Sequence, residues 1–185
     1  MPELEARFED LSPDQRVARL WATKEIQQLA YSYAYGFDMR DIDLLRSLWA
    51  KTDEPAPAPI LDGHVVNMPD FEQWLEMGPS VLFVGNHRIV FDDDENAHGA
   101  VYTIVQVETG GKFVDQSIFY QDRYTLQDGR WLFVDRDHQM WFGQVREQNP
   151  YEQSPANWPE STVGSGTVPY SLESYQRFTG TNGSP

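Results

Sequence analysis

The sequence predicts an α+β fold, in which helices in the first third of the chain precede an antiparallel sheet. Two observations carry this prediction. Apolar residues recur at spacings of three and four, which is typical of a helix with one buried stripe; they are Ile26, Leu29, Tyr33 and Phe37. From residue 81 onward the chain changes to four β-rich runs separated by short turns, the pattern of a meander.

Composition narrows the class of protein. The chain has 185 residues and a net charge of −15, which repels nucleic-acid phosphates and anionic lipids, so we expect neither partner. It contains no cysteine, which excludes disulfides, thiolate zinc sites and cysteine nucleophiles. The acidic start has no apolar segment of the kind that a signal peptide needs, and we expect a cytoplasmic protein.

Capping signals mark the two predicted helices. Ser12 as N-cap, Pro13 at the first helical position and Gln15 three residues after the cap form a capping-box pattern. Asp41 is a suitable cap for a second short helix, whose apolar side is Leu44, Leu45, Leu48 and Trp49. After the proline-rich stretch "TDEPAPAPI", the stretch "MPDFEQWLEMG" predicts one more short helix that ends at Gly78.

The four β-rich runs are "VLFVGNHRIVF", "AHGAVYTIVQVE", "KFVDQSIFYQDRYTL" and "RWLFVDRDHQMWF". Their turns are "DDDEN", "TGG" and "QDG", of which Asp-Gly is the strongest hairpin signal. We therefore divide the chain into an N-terminal arm (1–12), an α+β domain (13–143) and a C-terminal extension (144–185). The extension is rich in Pro, Ser, Gly and Asn but keeps several aromatic rings, so we expect it to pack on the domain or on a neighbouring subunit.

The order of these elements, with "IQQLAYSYAYGFDMRDIDLLRSLW", "GNHRIVFDDDENAHG" and "YQDRYTLQDGRWLF", resembles the SnoaL-like branch of the nuclear transport factor 2-like superfamily. The resemblance covers roughly residues 20–143. It implies a cone-shaped fold in which N-terminal helices pack against a curved, mainly antiparallel sheet. That family includes scytalone dehydratase, bile-acid dehydratases, a dehydrochlorinase and ketosteroid isomerases.

Asp38 is the candidate catalytic base. The resemblance implies that an aspartate at the end of the first long helix points into the cone, and that Tyr33 lines the same pocket. Helix periodicity alone would put these two side chains roughly 140° apart, so their pairing rests on the resemblance. Burial among aromatic rings would raise the pKa of Asp38 and make it a usable base. The alternative is an exposed residue at the helix end.

The sequence departs from the family where the family has catalytic histidines. Counting back from Asn86 places Leu82 at one such position, and Val107 falls on the other. Strict alternation sends His87 to the opposite face, although a β-bulge could turn it inward. A lone strand histidine is more often a packing residue, so His87 is a catalytic candidate with a structural alternative.

The third long run offers further candidates on one face by alternation: Ile118, Tyr120, Asp122, Tyr124 and Leu126. The resemblance aligns Tyr120 with a substrate-contacting position, whereas a core tyrosine is the plain alternative. Alternation also predicts that Arg88 points inward, either to pair with Asp122 or Asp38 or to stabilise an oxyanion. The expected substrate-binding residues are Leu82, Val84, Asn86, Val105, Val107, Ile118 and Asp122.

We expect no metal and no cofactor. The sequence contains no H-x-H or HExxH spacing, and "DDDENAHG" lacks the glycine and the final glutamate of a calcium loop. The resulting hypothesis is a cofactor-independent lyase that acts on a small aromatic or polycyclic hydroxylated compound by dehydration or by loss of formaldehyde. Isomerisation is an alternative, and so is a non-catalytic binding or structural role, such as that of a ring-hydroxylating dioxygenase β subunit.

The outer sheet face carries Phe83, Ile104 and Phe119 by alternation. An exposed apolar patch of this kind would favour association. We therefore expect a homodimer or homotrimer.

Overall fold

The first helix is long and begins at the predicted cap. The structure, a computed structural model, describes residues 10–51, 64–66 and 77–180. Helix α1 spans Pro13–Met39, and Ser12 and Gln15 form the full capping box. The helix ends at Arg40, which adopts the left-handed conformation with φ of 55°. The predicted stripe of Ile26, Leu29, Tyr33 and Phe37 is buried, so these predictions are confirmed.

Helix α2 (Ile42–Ser47) follows at once and is capped by Asp41, whose side chain accepts from the Leu44 amide at 3.1 Å. The two helices pack closely at Gly36, where a Cβ would lie 3.0 Å from Leu45 Cγ. Glycine at this position therefore permits the contact. The chain then runs to Trp49, which pairs with Phe133 of the sheet.

Five strands form one antiparallel sheet in the order β1-β5-β4-β3-β2. The four long strands are β2 (Ser80–Phe91), β3 (Asn96–Thr109), β4 (Lys112–Gln127) and β5 (Arg130–Val145). They match the four predicted runs within a few residues. The edge strand β1 (His64–Val66) was not predicted, because three residues are too few to show a period of two.

The predicted hairpin turns adopt the conformation that their glycines favour. Asp128 and Gly129 have φ of 54° and 76°, as an Asp-Gly turn of type I′ requires. Two bulges interrupt the pairing of β4 with β5, and one interrupts the pairing of β2 with β3. Because a bulge changes which residues face inward, the bulge in β2 decides the composition of the site.

The core lies between α1 and the inner face of the sheet. Tyr33 is its centre, with ring centroids 6.1 Å from Tyr120, 6.2 Å from Phe133 and 6.5 Å from Trp49. A second buried cluster joins Ala30 of α1 to five residues of the inner sheet face, namely Val101, Val105, Val107, Ile118 and Tyr120. Among the described residues, no helix has both the length and the apolar character needed to cross a lipid bilayer.

The C-terminal extension contacts its own domain in this structure. It contains a short 3₁₀ helix (Pro150–Glu152) and helix α3 (Glu173–Thr179). Tyr175 is buried, and the Ser174 hydroxyl donates to the Met39 carbonyl at 2.7 Å. The predicted short helix before Gly78, the proline-rich stretch and most of the N-terminal arm lie outside the described residues.

Candidate active site

Asp38 lies on the last turn of α1 and is buried, with 8% of its surface exposed. Both carboxylate oxygens are held by the start of β2. The Ser80 hydroxyl donates to Oδ1 at 2.8 Å, and the Leu82 amide donates to Oδ2 at 2.9 Å. The alternative of an exposed helix-end residue is therefore wrong, and the side chain is fixed in one orientation.

Burial sets the protonation behaviour of Asp38. Loss of solvation disfavours the carboxylate and raises its pKa from 3.8 to about 6, although the Leu82 and Ser80 hydrogen bonds and the charge of Arg40 act in the opposite direction. A carboxyl group with this pKa is ionised at neutral pH but is a stronger base than an ordinary aspartate. Asp38 can therefore accept a proton at neutral pH.

A buried ion pair lies on the inner face of β4 and β5. Arg136 donates to Asp122 through Nε at 2.7 Å and through a terminal nitrogen at 2.8 Å, and both side chains are almost fully buried. The Tyr124 hydroxyl also donates to Asp122, at 2.8 Å. Asp122 was expected to bind substrate, but in the structure its two oxygens are engaged by protein groups.

His87 extends this network. Its Nε2 lies 3.0 Å from the Tyr124 hydroxyl. Because the phenol has one proton and gives it to Asp122, it must accept from His87, which places the histidine proton on Nε2. Burial lowers the pKa of His87, so the ring is neutral at neutral pH, and its buried Nδ1 has no hydrogen-bond partner in the described part of the chain.

The cation of Arg136 stacks on the two candidate tyrosines. Its Cζ lies 4.1 Å from the ring centroid of Tyr120 and 4.4 Å from that of Tyr33. Burial raises the pKa of both phenols, and the positive charge of Arg136 opposes that rise. Both tyrosines therefore remain protonated at working pH and can donate hydrogen bonds. The negative charge of Asp38 also raises the pKa of Tyr120.

The bulge in β2 reverses the three orientations that strict alternation predicts for His87, Asn86 and Arg88. Gly85 and Asn86 together oppose Tyr102 of β3, since Val84 pairs with Thr103 and His87 with Val101. The extra residue moves His87 to the inner face, as the bulge alternative allowed, and leaves Asn86 and Arg88 exposed. The inward placement of Asn86 and Arg88 is wrong for this reason, and Arg136 is the arginine that pairs with Asp122.

The apolar candidates lie together on the inner face. Leu82 is directly opposite Val105, and Val107 and Ile118 belong to the same buried cluster as Tyr120. Leu82 and Val84 are half-buried against that cluster. Beside Asp38 the sheet therefore presents a wall of aliphatic side chains with few polar groups, which suits an apolar ligand.

Three residues that contribute to the site could not be identified from the sequence. Ser80 donates to Asp38, Arg40 donates to Ser80, and Arg136 stacks on the tyrosines. Alternation around the β5 bulge obscured Arg136, and no pattern marks Arg40 or Ser80. Within residues 10–51 and 77–180, no group of three or more histidine, aspartate or glutamate side chains is arranged to hold a metal ion.

The helices at the N-terminus and the curved antiparallel sheet define an α+β cone fold, which confirms the predicted class. A family model described as a SnoaL-like domain matches residues 18–137, and the chain belongs to this family. No curated protein matches the chain.

Solved structures with the same fold include a LinA-type3 hexachlorocyclohexane dehydrochlorinase from Novosphingobium barchaimii LL02. It is 19% identical with a TM-score of 0.60, and the match covers 72% of this chain and 95% of that one. A candidate scytalone dehydratase from Novosphingobium aromaticivorans DSM 12444 is 18% identical, with a TM-score of 0.59 and coverage of 72% and 93%. A candidate aromatic ring hydroxylase from Novosphingobium aromaticivorans is 15% identical, with a TM-score of 0.57 and coverage of 69% and 94%. At these identities the likeness establishes the fold alone.

Proposed function

We propose that this protein is a cofactor-independent lyase that acts on a small aromatic or polycyclic hydroxylated compound. The observation that carries the proposal is a buried carboxylate, Asp38, with its pKa raised to about 6 beside an aliphatic wall. A base with this pKa in a poorly solvated site is suited to proton abstraction near neutral pH.

The same base would serve two cleavage reactions. In a β-hydroxy carbonyl compound, Asp38 takes the proton from the carbon next to the carbonyl and an enolate forms. Protonated Asp38 then gives that proton to the β-hydroxyl, which leaves as water as the enolate becomes the α,β-unsaturated carbonyl compound. In a compound with a hydroxymethyl group at that carbon, Asp38 takes the hydroxyl proton. The carbon–carbon bond then breaks, formaldehyde leaves, and the bonding pair forms the same enolate. In a β,γ-unsaturated carbonyl compound, return of the proton from Asp38 to the γ carbon of the dienolate would be isomerisation.

The tyrosines supply the second requirement, stabilisation of the enolate oxygen. Tyr120 and Tyr33 are protonated donors at the centre of the inner face, and Arg136 makes their phenols more acidic than burial alone would. Fixed donors aimed at developing charge are among the largest catalytic contributions. We assign this role to Tyr120, with Tyr33 as the supporting group. His87 cannot donate to the enolate oxygen, because its one proton lies on Nε2 and is donated to Tyr124.

Substrate selection is assigned to the aliphatic wall. Its members are Leu82, Val84, Val105, Val107 and Ile118. We omit Asn86 and Arg88 from the site because their side chains are exposed, and Asp122 because Arg136 and Tyr124 occupy it. The names of two structural neighbours, a dehydrochlorinase and a candidate dehydratase, are consistent with an elimination.

A non-catalytic role is the second candidate, and two observations favour it. Leu82 and Val107 occupy the positions where the family resemblance leads us to expect histidines. The outer sheet face also exposes large apolar side chains, with 61% of Phe83 and 65% of Trp141 accessible. A structural subunit of a dioxygenase would co-purify with a larger iron-containing partner, whereas the proposed lyase would purify alone and colourless.

The direct experiment is a substrate panel. The purified protein is incubated, with a chelator present, with aromatic β-hydroxy carbonyl compounds and with aromatic carbonyl compounds that carry a hydroxymethyl group on the neighbouring carbon, and products are identified by mass spectrometry. We expect loss of water or of formaldehyde from at least one compound class. The absence of any product, together with co-purification of a larger partner, would favour the structural role.

A further inference from the structure

The orientation of Asp38 depends on how two elements are joined. The carboxylate belongs to the last turn of α1, whereas both of its hydrogen bonds come from Ser80 and Leu82 at the start of β2. Any displacement of the end of α1 from the start of β2 would break both bonds. A group that fastens these two segments together would therefore fix the carboxylate.

Arg40 makes that connection. Its side chain is buried, and its guanidinium donates to the Phe37 carbonyl of α1. The same group donates to the Met77 carbonyl at 2.8 Å and to the Gly78 carbonyl at 2.6 Å, on the segment that leads into β2. It also donates to the Ser80 hydroxyl at 3.4 Å, so a short hydrogen-bonded chain runs from Arg40 through Ser80 to Asp38.

The C-terminal extension covers this connection. The Cζ atom of Arg40 lies 5.6 Å from the ring centroid of Tyr175 and 5.2 Å from that of Phe37, so the cation is flanked by rings of two elements. The Ser174 hydroxyl donates to the Met39 carbonyl at 2.7 Å, next to Arg40 in the chain. The family match ends at residue 137, so α3 lies beyond the family's shared domain.

We propose that Arg40 is the positioning residue of Asp38 and that helix α3 holds Arg40 in place, which makes the C-terminal extension a functional part of the site. The catalytic meaning of this inference rests on the proposed function, whereas the arrangement itself does not. The planar guanidinium of Arg40 donates to several acceptors at once, and a lysine ammonium cannot reproduce this set of hydrogen bonds.

The inference is tested on the ionisation of Asp38, which needs no substrate. The charged or titratable groups that act on Asp38 or sense its charge are Arg40, Tyr120 of β4 and Tyr151 of the extension, and the phenols stay protonated through the range of interest. Loss of a hydrogen bond to the carboxylate disfavours the charged form. Weakening the connection should therefore make Asp38 harder to ionise.

The experiment is a carboxyl-carbon NMR titration of the full chain, with Asp38 assigned by comparison with Asp38→Asn. In Ser80→Ala we expect the ratio of ionised to protonated Asp38 at about pH 6 to fall by about tenfold. In the double variant Ser174→Ala, Tyr175→Leu the same ratio should fall by a smaller factor, on the order of threefold. The matched control is Trp158→Leu, which removes an exposed ring of the same extension and should leave the titration unchanged.

An unchanged Asp38 titration in the folded double variant would overturn the role of α3, and an unchanged titration in Ser80→Ala would overturn the connection through Ser80. If Arg40→Lys folds, it should shift the ratio in the same direction as Ser80→Ala. These outcomes are independent of the proposed function. Wild-type turnover by Asp38→Asn would remove the catalytic role and leave the NMR result standing.

Discussion

Replacing Asp38 by asparagine should separate stability from activity, because the buried carboxylate costs folding free energy. In the folded state the pKa of Asp38 is about 6, against 3.8 for an unperturbed aspartate. The folded protein therefore holds this proton more tightly than the unfolded chain does. The protonated form contributes its full stability below pH 3.8, and this contribution is lost as the pH rises from 3.8 to about 6.

The size of the stability loss follows from the shift in the pKa of Asp38. A difference of roughly two pKa units corresponds to about 3 kcal/mol of unfolding free energy lost above the window. Asparagine cannot ionise and avoids this loss. Its amide oxygen can accept from the Leu82 amide, and its NH₂ group can donate to the Ser80 hydroxyl, so both hydrogen bonds have replacements.

The assay is urea unfolding of the wild type and Asp38→Asn at about pH 4 and about pH 7.5, with activity measured alongside. We expect the stability of the variant relative to the wild type to rise by roughly 2–3 kcal/mol between the two pH values. The control Asp94→Asn, at an exposed turn position, should stay within about 0.5 kcal/mol at both. A variant that is less stable than the wild type at neutral pH would refute the reasoning.

Three further predictions follow from the structure. Asp122→Asn leaves the Arg136 cation buried without its carboxylate partner, so urea unfolding should show that the unfolding free energy falls by about 3–5 kcal/mol. In the control Asp115→Asn, at a half-buried aspartate paired with Arg146 near the surface, the unfolding free energy should fall by no more than about 1 kcal/mol. Equal losses in the two variants would contradict the burial argument. Tyr120→Phe should lower kcat by about 10²-fold with the fold intact, as steady-state kinetics and circular dichroism would reveal; unchanged kcat would remove Tyr120 from the site. We also propose that the outer sheet face joins copies of this chain, so light scattering should find a dimer or trimer that Phe83→Glu dissociates; a wild-type monomer at every accessible concentration would disprove this.

The sequence predicted the elements well because their signals are local. The Ser12 capping box, the Asp41 cap and the Asp128-Gly129 turn each depend on a few neighbouring residues, and all three have the expected structure. The long strands were found by composition and turn spacing. These features do not depend on contacts distant in sequence.

The site was only partly predictable because a single inserted residue changes which side chains face inward. Alternation from Leu82 placed Arg88 inside, whereas the bulge at Gly85 and Asn86 places His87 there. Arg88 was predicted to pair with Asp122 or Asp38 or to stabilise an oxyanion. The partner of Asp122 is instead Arg136, whose strand also contains bulges relative to β4. No local pattern could reveal the bulge.

The residues that orient Asp38 could not be predicted from the sequence for a different reason. Ser80 is 42 positions away in the chain, and the Arg40 contacts to Met77 and Gly78 depend on a left-handed residue at the end of α1. The aromatic content of the extension indicated packing, yet only the folded chain places Tyr175 over Arg40. Contacts between distant segments arise from tertiary structure, which periodicity does not encode.

The most direct test of the central claim, that Asp38 is the catalytic base, is the pH dependence of kcat/KM on whichever substrate the panel identifies. A base must be ionised to act, so kcat/KM of the wild type should rise with pH through about 6 and then level off. In Asp38→Asn, kcat/KM should fall by roughly 10²–10⁴-fold and this rise should disappear. A folded Asp38→Asn protein that keeps kcat/KM within a few-fold of wild type, with the same rise through about 6, would contradict the account.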